Sequence, residues 1–378
     1  MTARPRGRQG ADRKVQPATP TPLPTGFAAH VVRWQQTHGR NTLPWQDTRD
    51  PYRVWLSEIM LQQTQVAAVL GYYDRFLARF PDVQSLAAAA LDDVLALWSG
   101  LGYYSRARNL HACAQQVVQV HGGVFPRSAQ VLQTLPGIGP STAAAISSFC
   151  FGERAAILDG NVKRVLTRVL GFGDDLASAA NERQLWDHAR ALLPARELQE
   201  NMPRYTQGLM DLGATVCLPR NPGCLMCPVQ PQCTASGEGR PEAYPVKTRK
   251  LKRGAESLWL LHAQGDDGAV WLQKRPTPGV WAGLYCLPVF ASREALDEAL
   301  PQPARGSVRE SAPFLHVLTH KDLHLHPVQA VVPAAWSAGE GAWFGTGEWA
   351  ALGLPAPVRK FLERVSGFGA TRAHPDLH

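Results

Sequence analysis

Apolar residues recur at three- and four-residue intervals through most of residues 26–236, which is the spacing of one buried helix face. Asp50 followed by Pro51 is a typical helix start, because Asp caps free N–H groups and Pro fits the first turn. Gly171 follows another such segment and predicts its end. The pattern therefore predicts an almost wholly helical region, with its clearest helices at 51–70, 83–98, 107–120 and 161–170.

Beyond residue 254 the pattern changes to short β-like runs that are separated by Gly, Pro and Asp. Two helical segments, 293–300 and 355–365, accompany these runs. The change predicts a second domain of mixed α and β structure at residues 255–366. Its predicted strands lie within 256–263, 269–275, 283–290 and 316–332.

Polar segments flank and separate these two regions. Residues 1–25 are Pro-rich and basic and are predicted to form a disordered tail, residues 237–254 a basic linker, and residues 367–378 a second tail. The first tail and the linker together account for the net charge of +8, so the folded domains are near neutral. The basic excess fits either nonspecific attraction to phosphate or simple solubility.

Composition argues against membrane and secreted proteins. No apolar run approaches the roughly 18 residues that span a bilayer, and the N-terminus lacks the apolar core of a secretion signal. We therefore expect no membrane association and a cytoplasmic location. Seven cysteines in a chain without an export signal argue against a disulfide framework.

Four of those cysteines lie within 17 residues, in the pattern C-x6-C-x2-C-x5-C. They are Cys217, Cys224, Cys227 and Cys233. Four thiolates so close together in a Pro- and Gly-rich loop suit one soft metal centre. Zinc and an iron–sulfur cluster both accept four cysteine ligands, and the uneven spacing favours a [4Fe–4S] cluster over a zinc ribbon.

A glycine-rich hairpin, Leu135-Pro136-Gly137-Ile138-Gly139-Pro140, precedes an Ala-rich helical segment. Gly137 and Gly139 can adopt positive φ, so the N–H groups of a tight turn can point outward together. Such a turn at a helix N-terminus binds anions, and a DNA phosphate is one candidate. An ordinary turn between packed helices is equally compatible with the hairpin alone.

Two carboxylates stand in contrasting contexts. Glu58 lies within an apolar helical segment, on the same predicted face as Gln62 and Gln65, either as a surface residue or as a buried acid. Burial would raise its pKa and keep a proton available for general acid catalysis. Asp159 stands at a helix start, where backbone amides favour its charged form. One protonated and one anionic carboxyl group is the pair that cleaves glycosidic bonds.

These motifs occur in the same order in the helix-hairpin-helix DNA glycosylases, and the chain resembles their adenine-removing MutY branch most closely. The matching elements are Ser57 to Gln65, Leu101 to Tyr104, the hairpin, Leu158 to Arg164 and the cysteine loop. The resemblance covers residues 26–236 closely. It implies a mainly α catalytic domain with a [4Fe–4S] loop at 217–233, an active site between two helical subdomains, and extrusion of the target base from the duplex.

The resemblance also assigns roles to particular residues. Glu58 would protonate the adenine ring, Asp159 would stabilise the C1′ cation, and Asn161 would position Asp159 or the water. The remaining residues would contact DNA: Gln63 and Tyr103 as wedges in the base stack, Trp45 and Gln207 in the adenine pocket, and Gly137, Ile138 and Gly139 at a backbone phosphate.

Ser141 separates two branches of the family. The endonuclease III branch, which removes oxidised pyrimidines and nicks the strand, carries a lysine at this position just after the hairpin, and that amine attacks C1′. A serine hydroxyl without an evident base is a poor substitute. The catalytic set Glu58, Asp159, Asn161 and Ser141 therefore predicts a glycosylase with little or no strand cleavage.

The C-terminal domain resembles the Nudix-like domain that this branch uses to recognise 8-oxoguanine, through the segment from Pro278 to Pro288. The sequence lacks the G-x5-E-x7-R-E-x2-E-E box, so a magnesium-dependent pyrophosphatase is not expected. The recognition loop of the family usually reads Phe-Ser-His, and here it reads Leu318-Thr319-His320. We expect Thr319 and His320 to contact the lesion.

The sequence thus predicts a monomeric enzyme, associated with the nucleoid, that acts on double-stranded DNA with adenine opposite 8-oxoguanine or G. An endonuclease III-like pyrimidine glycosylase and lyase is the alternative within the family. A DNA-binding or redox-sensing iron–sulfur protein without catalysis is a third hypothesis, but it has no use for the Glu58 and Asp159 pair.

Overall fold

A computed structural model describes residues 23–248 and 253–367 of the chain. The predicted N-terminal tail therefore lies almost entirely outside the described residues, as do residues 249–252 of the predicted linker and the C-terminal tail from residue 368.

The first domain is helical and has two lobes that meet at one central helix. This helix, α8 (Pro140–Phe151), packs Ala143 and Ile146 into the core of the first lobe, and Ala144 and Ala145 into the core of the second. The first lobe contains α2 (Pro51–Leu61), α3 (Val66–Arg79), α4 (Val83–Ala88), α5 (Leu91–Trp98), α6 (Ser105–His121) and α7 (Ala129–Leu132). The second contains α1 (Phe27–His38), α9 (Gly160–Leu170), α10 (Ala179–Ala191), α11 (Leu198–Asp211) and α12 (Thr234–Gly237).

Two predicted helices are each broken in the structure. The predicted helix 51–70 ends at Leu61, turns through Gln63 at φ 57°, and restarts at Val66. Gln65 consequently precedes the next helix and does not share a helix with Glu58, which corrects the predicted common face. The predicted helix 83–98 is likewise divided between α4 and α5.

The second domain is built on one mixed sheet. Its two long strands, β1 (Gly254–Gln264) and β7 (Lys321–Val331), run parallel and pair in register from Gly254 with Lys321 to Gln264 with Val331. The shorter strands are β2 (Val270–Lys274), β3 (Tyr285–Cys286), β4 (Val289–Phe290), β5 (Arg309–Glu310), β6 (Phe314–Val317) and β8 (Ala342–Phe344). The sheet order is β3-β2-β1-β7-β5, with β4 also paired to β1, β6 to β7 and β8 to β2.

Helices cover this sheet and complete the predicted architecture. Leu296 of α13 (Arg293–Ala299) packs into the core on one face, and Val358 and Phe361 of α15 (Ala356–Ser366) pack into the core on the other. A short helix, α14 (Thr346–Ala350), precedes α15. The predicted fold class, a mainly helical domain followed by an α+β domain, is confirmed.

The two domains share one continuous apolar core. Leu95 of α5 meets the second domain so closely that a side chain at Gly353 would lie 3.1 Å from the Leu95 backbone. Polar contacts surround this junction: Arg108 donates to the Ala282 carbonyl at 2.7 Å, and Lys274 pairs with Asp92 at 2.7 Å. The second domain is therefore packed directly beside α5 and α6.

Part of the predicted linker belongs structurally to the helical domain. Residues 241–243 form a 3-10 turn, Tyr244 is buried, and the Leu176 N–H donates to the Val246 carbonyl at 3.0 Å. Thr248 also donates its backbone N–H to Asp175 at 3.1 Å. This docking was not predicted from the sequence because basic and proline residues dominate the segment.

None of the helices in the described ranges has the length and apolarity that crossing a membrane requires.

Candidate active site

Glu58 is a partly buried acid, which favours the buried interpretation of the sequence over the surface one. It lies in the apolar helix α2, whose start is capped by Asp50 accepting from the Tyr52 N–H at 3.0 Å. Protein surrounds its carboxyl group, although part of the side chain lines an open cavity. Desolvation by burial, with a further contribution from the nearby charge of Asp159, raises the pKa of Glu58 from its ordinary value of 4.5 to about 8. Glu58 therefore holds a proton at neutral pH.

The cavity beside Glu58 has a volume of about 430 Å³ and brings three predicted residues together. Trp45 and Gln207 line it with Glu58, as expected of a base pocket. Trp45 is fixed by an edge-on contact with Tyr73, their ring centroids 5.4 Å apart, and Gln207 donates to Asp211 at 2.8 Å. The pocket is thus a preformed concave site with aromatic, amide and acid groups.

Asp159 caps the N-terminus of α9. Its Oδ1 accepts from the Asn161 N–H at 2.7 Å and from the Val162 N–H at 2.9 Å. Asp159 does not line the Glu58 cavity, yet its charge is near enough to raise the pKa of Glu58. The two carboxyl groups therefore occupy different elements on neighbouring parts of one site.

Ser141 holds the segment that leads to Asp159. Its hydroxyl lies in the first turn of α8 and accepts from the Leu158 N–H at 3.0 Å. In the next position, Thr142 accepts from Gln62 at the end of α2, at 3.3 Å. The start of α8 therefore joins the elements that carry the two carboxyl groups.

Asn161 connects the start of α9 with the cysteine loop. Its side-chain oxygen accepts from Arg164 at 2.9 Å. The same guanidinium donates to the carbonyls of Gly213 at 2.7 Å and Cys217 at 2.8 Å. The predicted positioning role of Asn161 remains a prediction, and the structure adds Arg164 as its partner.

The two predicted wedge residues lie on separate turns of the first lobe. Gln63 and Tyr103 are both exposed, and both have positive φ, at 57° and 48°. Positive φ is uncommon for residues other than glycine, so surrounding contacts must hold both turns. The Tyr103 hydroxyl also lies 2.8 Å from the Thr319 hydroxyl of the second domain.

The two glycines of the hairpin differ in backbone conformation. Gly137 has φ 74°, and a side chain there would lie 2.7 Å from Cβ of Asn109, but Gly139 has φ −83°. Ile138 buries its side chain in the core and donates its N–H to the Leu135 carbonyl at 3.2 Å. Of the two glycines that can adopt positive φ, only Gly137 does so, and Ile138 anchors the hairpin to the core.

The four loop cysteines are unpaired and line one cavity beside α9. Burial, with smaller contributions from the other three thiols, raises the pKa of Cys227 to about 12. The buried Arg168 of α9 donates to the Cys217 sulfur at 3.3 Å and to the Leu218 carbonyl at 2.7 Å. Within the described residues, no group of three or more His, Cys, Asp or Glu side chains is arranged around a single ion. The donor set of four thiols on one cavity fits a cluster ligated by four cysteines.

The predicted lesion loop forms the tight turn between β6 and β7. Thr319 and His320 are exposed at its tip, whereas Leu318 packs against the core. Arg253 donates to the Leu318 carbonyl at 3.1 Å, and the Gly254 N–H donates to the His320 carbonyl at 3.1 Å. The side chains expected to contact DNA thus project from a braced turn.

Several polar pocket residues were missed by the sequence analysis. Gln46 accepts from the Leu43 N–H at 3.1 Å, while its buried Nε2 has no partner and is available to a bound base. Glu200 and Arg204 line the same pocket from α11 together with Gln207. The i, i+4, i+7 spacing of these three residues was the available sequence signal.

The chain is similar to known DNA repair proteins across both domains. The model of the HhH-GPD superfamily base excision DNA repair proteins matches residues 56–270, and that of the NUDIX domain matches residues 258–364. The adenine DNA glycosylase of Buchnera aphidicola subsp. Acyrthosiphon pisum (strain APS) is 36% identical over 346 residues, which is 89% of this chain and 97% of that protein. The adenine DNA glycosylase of Homo sapiens is 46% identical over 221 residues, which is 56% of this chain and 39% of that protein. The solved structure of a thermostable thymine-DNA glycosylase has 29% identity and a TM-score of 0.49, over 56% of this chain and 95% of that chain.

Proposed function

Because the chain belongs to the HhH-GPD superfamily of base excision DNA repair proteins, we propose that it is a monofunctional glycosylase for adenine opposite 8-oxoguanine or G in double-stranded DNA. The observation that carries this proposal is the position of Glu58, whose pKa burial raises to about 8, in the lining of a cavity of about 430 Å³. The similarity to adenine DNA glycosylases over nearly the whole chain supports adenine as the substrate base. We propose that the enzyme acts as a monomer at the nucleoid.

The proposed reaction replaces adenine on C1′ by water. Glu58 donates its proton to a ring nitrogen of adenine, so the base leaves with the electrons of the C1′–N bond. The Asp159 carboxylate stabilises the cationic sugar that remains. A water oxygen then bonds to C1′ and loses a proton, which yields free adenine and an abasic site. Asn161, at the start of α9, holds the Asp159 carboxylate in place by donating its backbone N–H to Oδ1.

Ser141 supports hydrolysis without strand cleavage. Its hydroxyl already accepts a hydrogen bond from Leu158 and is not an amine, so it does not form the covalent imine needed for strand cleavage. The test uses single turnovers on duplexes that contain adenine opposite 8-oxoguanine, adenine opposite G, or thymine glycol opposite adenine. We expect adenine release with strand breaks only after alkali. Thymine glycol cleavage without alkali would favour the endonuclease III-like alternative.

We also propose that Cys217, Cys224, Cys227 and Cys233 ligate a [4Fe–4S] cluster. The shared cavity and the Arg168 contact to the Cys217 sulfur support it. The cluster would cross-link residues 217–233, and its role in the proposal is structural.

The purified protein should be yellow-brown and contain about four irons per chain by elemental analysis. Cys224→Ser should lower the iron content and the melting temperature, whereas Cys113→Ser, at a buried cysteine far from the loop, should leave the iron content unchanged. Zinc in place of iron would contradict the assignment.

Thr319 and His320 are the proposed contacts to 8-oxoguanine. Their exposure on a braced turn next to Tyr103 supports this assignment. Thr319→Val keeps the shape of the side chain and removes its hydroxyl. We expect it to lower the ratio of the excision rates on adenine opposite 8-oxoguanine and opposite G by about tenfold, the value of one hydrogen bond. Thr319→Ser, which keeps the hydroxyl, should retain the ratio. An unchanged ratio in Thr319→Val would remove Thr319 from the recognition site.

A further inference from the structure

Arg106 is a buried arginine whose contacts lie in the two turns that carry Gln63 and Tyr103. It stands near the start of α6 and is 8% exposed. Its guanidinium makes six hydrogen bonds, all to groups outside α6. The acceptors are the carbonyls of Ile59, Met60, Gln62, Leu101 and Gly102 and the hydroxyl of Thr64.

One side of the guanidinium supplies hydrogen bonds to the carbonyls at the C-terminus of α2, where the helix stops. Nη1 donates to the carbonyls of Ile59, Met60 and Gln62 at 2.9, 2.8 and 2.6 Å. Carbonyls at a helix C-terminus lack helical donors and need other partners when buried. The arginine supplies those donors, so the chain can leave the helix and place Gln63 at φ 57°.

The other side of the guanidinium holds the second turn. Nη2 donates to the carbonyls of Leu101 and Gly102 at 3.3 and 3.2 Å, and to the Thr64 hydroxyl at 3.1 Å. The guanidinium carbon also lies 5.4 Å from the centroid of the Tyr103 ring, within the range of a cation–π contact. One planar group therefore fixes both turns relative to each other.

We propose that Arg106 is the positioning residue that sets the backbone and separation of the Gln63 and Tyr103 turns, so that both side chains enter the DNA stack together when the base is extruded. The inference rests on the proposed function, because insertion into DNA is what gives these turns their role. Arginine suits the position because its planar fork presents donors in two directions, whereas a lysine ammonium is a compact point charge with three donors.

The test measures base extrusion separately from chemistry. The probe is a duplex in which the target adenosine lies opposite 8-oxoguanine and next to 2-aminopurine. The sugar of the target adenosine carries a 2′-fluorine that prevents cleavage. Unstacking raises the fluorescence of 2-aminopurine. Arg106→Lys should lower the extrusion equilibrium by about tenfold or more, since several hydrogen bonds to the two turns are lost. Thr64→Val, which removes one acceptor and keeps Arg106, should lower it by about threefold.

Arg359→Lys is the matched control. Arg359 donates to the carbonyls of Ala350 and Leu352 and to the Ser99 hydroxyl, and it shares none of the six acceptors of Arg106. It should lose a comparable amount of melting temperature and extrude the base as the unsubstituted protein does. In addition, Arg106→Lys should have no further effect on extrusion in a protein that already carries Gln63→Ala and Tyr103→Ala. The reason is that Arg106 acts on extrusion through these two side chains.

The outcomes separate this inference from the proposed function. If the unsubstituted protein excises adenine while Arg106→Lys and Thr64→Val extrude the base as well as Arg359→Lys does, the inference is overturned alone. The same holds if Arg106→Lys keeps its full effect after both wedge side chains are removed. If the unsubstituted protein excises no adenine, the proposed function fails and the inference fails with it.

Discussion

Asp159→Asn should lower the single-turnover rate of adenine excision by about 10²–10³-fold, the scale of a lost electrostatic contact to a developing charge. Asparagine is as good a helix N-cap as aspartate, so its side-chain oxygen can still accept from the Asn161 and Val162 N–H groups. The substitution therefore removes the negative charge that we propose to face the cationic sugar, and it leaves the fold intact. Binding to the uncleaved duplex should be retained.

Asp82→Asn is the control for this substitution. Asp82 caps α4 by accepting from the Ser85 N–H at 2.7 Å, so it plays the same structural part away from the pocket. Excision should be unchanged in this variant. If Asp159→Asn excised adenine at the rate of Asp82→Asn, Asp159 would be only a helix cap. The noncatalytic DNA-binding hypothesis also fails if Asp159→Asn loses excision while it binds DNA.

Glu58→Gln should lower the rate by about 10²–10⁴-fold, the usual contribution of a general acid. Glutamine keeps the size of the side chain and has no proton to donate. Because the acid acts in its protonated form and its pKa is about 8, the rate of the unsubstituted enzyme should fall as pH rises through 8. This fall should disappear in Glu58→Gln and persist in Glu200→Gln, a second carboxylate that lines the pocket. If the rate of Glu58→Gln still fell as pH rose through 8, another residue would be the general acid.

The same pKa predicts how stability depends on pH. Between pH 4.5 and about 8, the unfolded chain releases the Glu58 proton while the folded protein retains it. The contribution of Glu58 to the free energy of unfolding is therefore complete below pH 4.5, falls as pH rises, and levels off above about 8. Chemical denaturation at a series of pH values should show a shallower decline for Glu58→Gln than for the unsubstituted protein.

Local patterns in the sequence predicted most of the architecture because the signals are themselves local. The Asp159 cap, the stop at Gly171 and the change of texture after residue 254 each depend on a few neighbouring residues. The break after Leu61 was not predictable in this way. The Ile59 and Met60 carbonyls there accept from Arg106, which lies 47 and 46 residues further along the chain, so only tertiary structure reveals why the helix stops.

In the candidate site, too, local features could be predicted from the sequence, whereas features that depend on tertiary structure could not. The identity of Glu58 and Asp159 as candidate carboxylates was visible in the sequence, but the burial that distinguishes them was not, because it depends on packing between both lobes. The polar residues Gln46 and Glu200 join the pocket from distant segments. The negative φ of Gly139 could not be read from the sequence, because glycine permits positive φ without requiring it.

Monofunctional hydrolysis is tested most directly by the mass of the DNA products after a single turnover on adenine opposite 8-oxoguanine, before and after alkali. We expect free adenine and a full-length strand that has lost the base and gained a hydroxyl group at C1′, with cleavage only after alkali. An unchanged strand, or fragments that form before alkali is added, would contradict it.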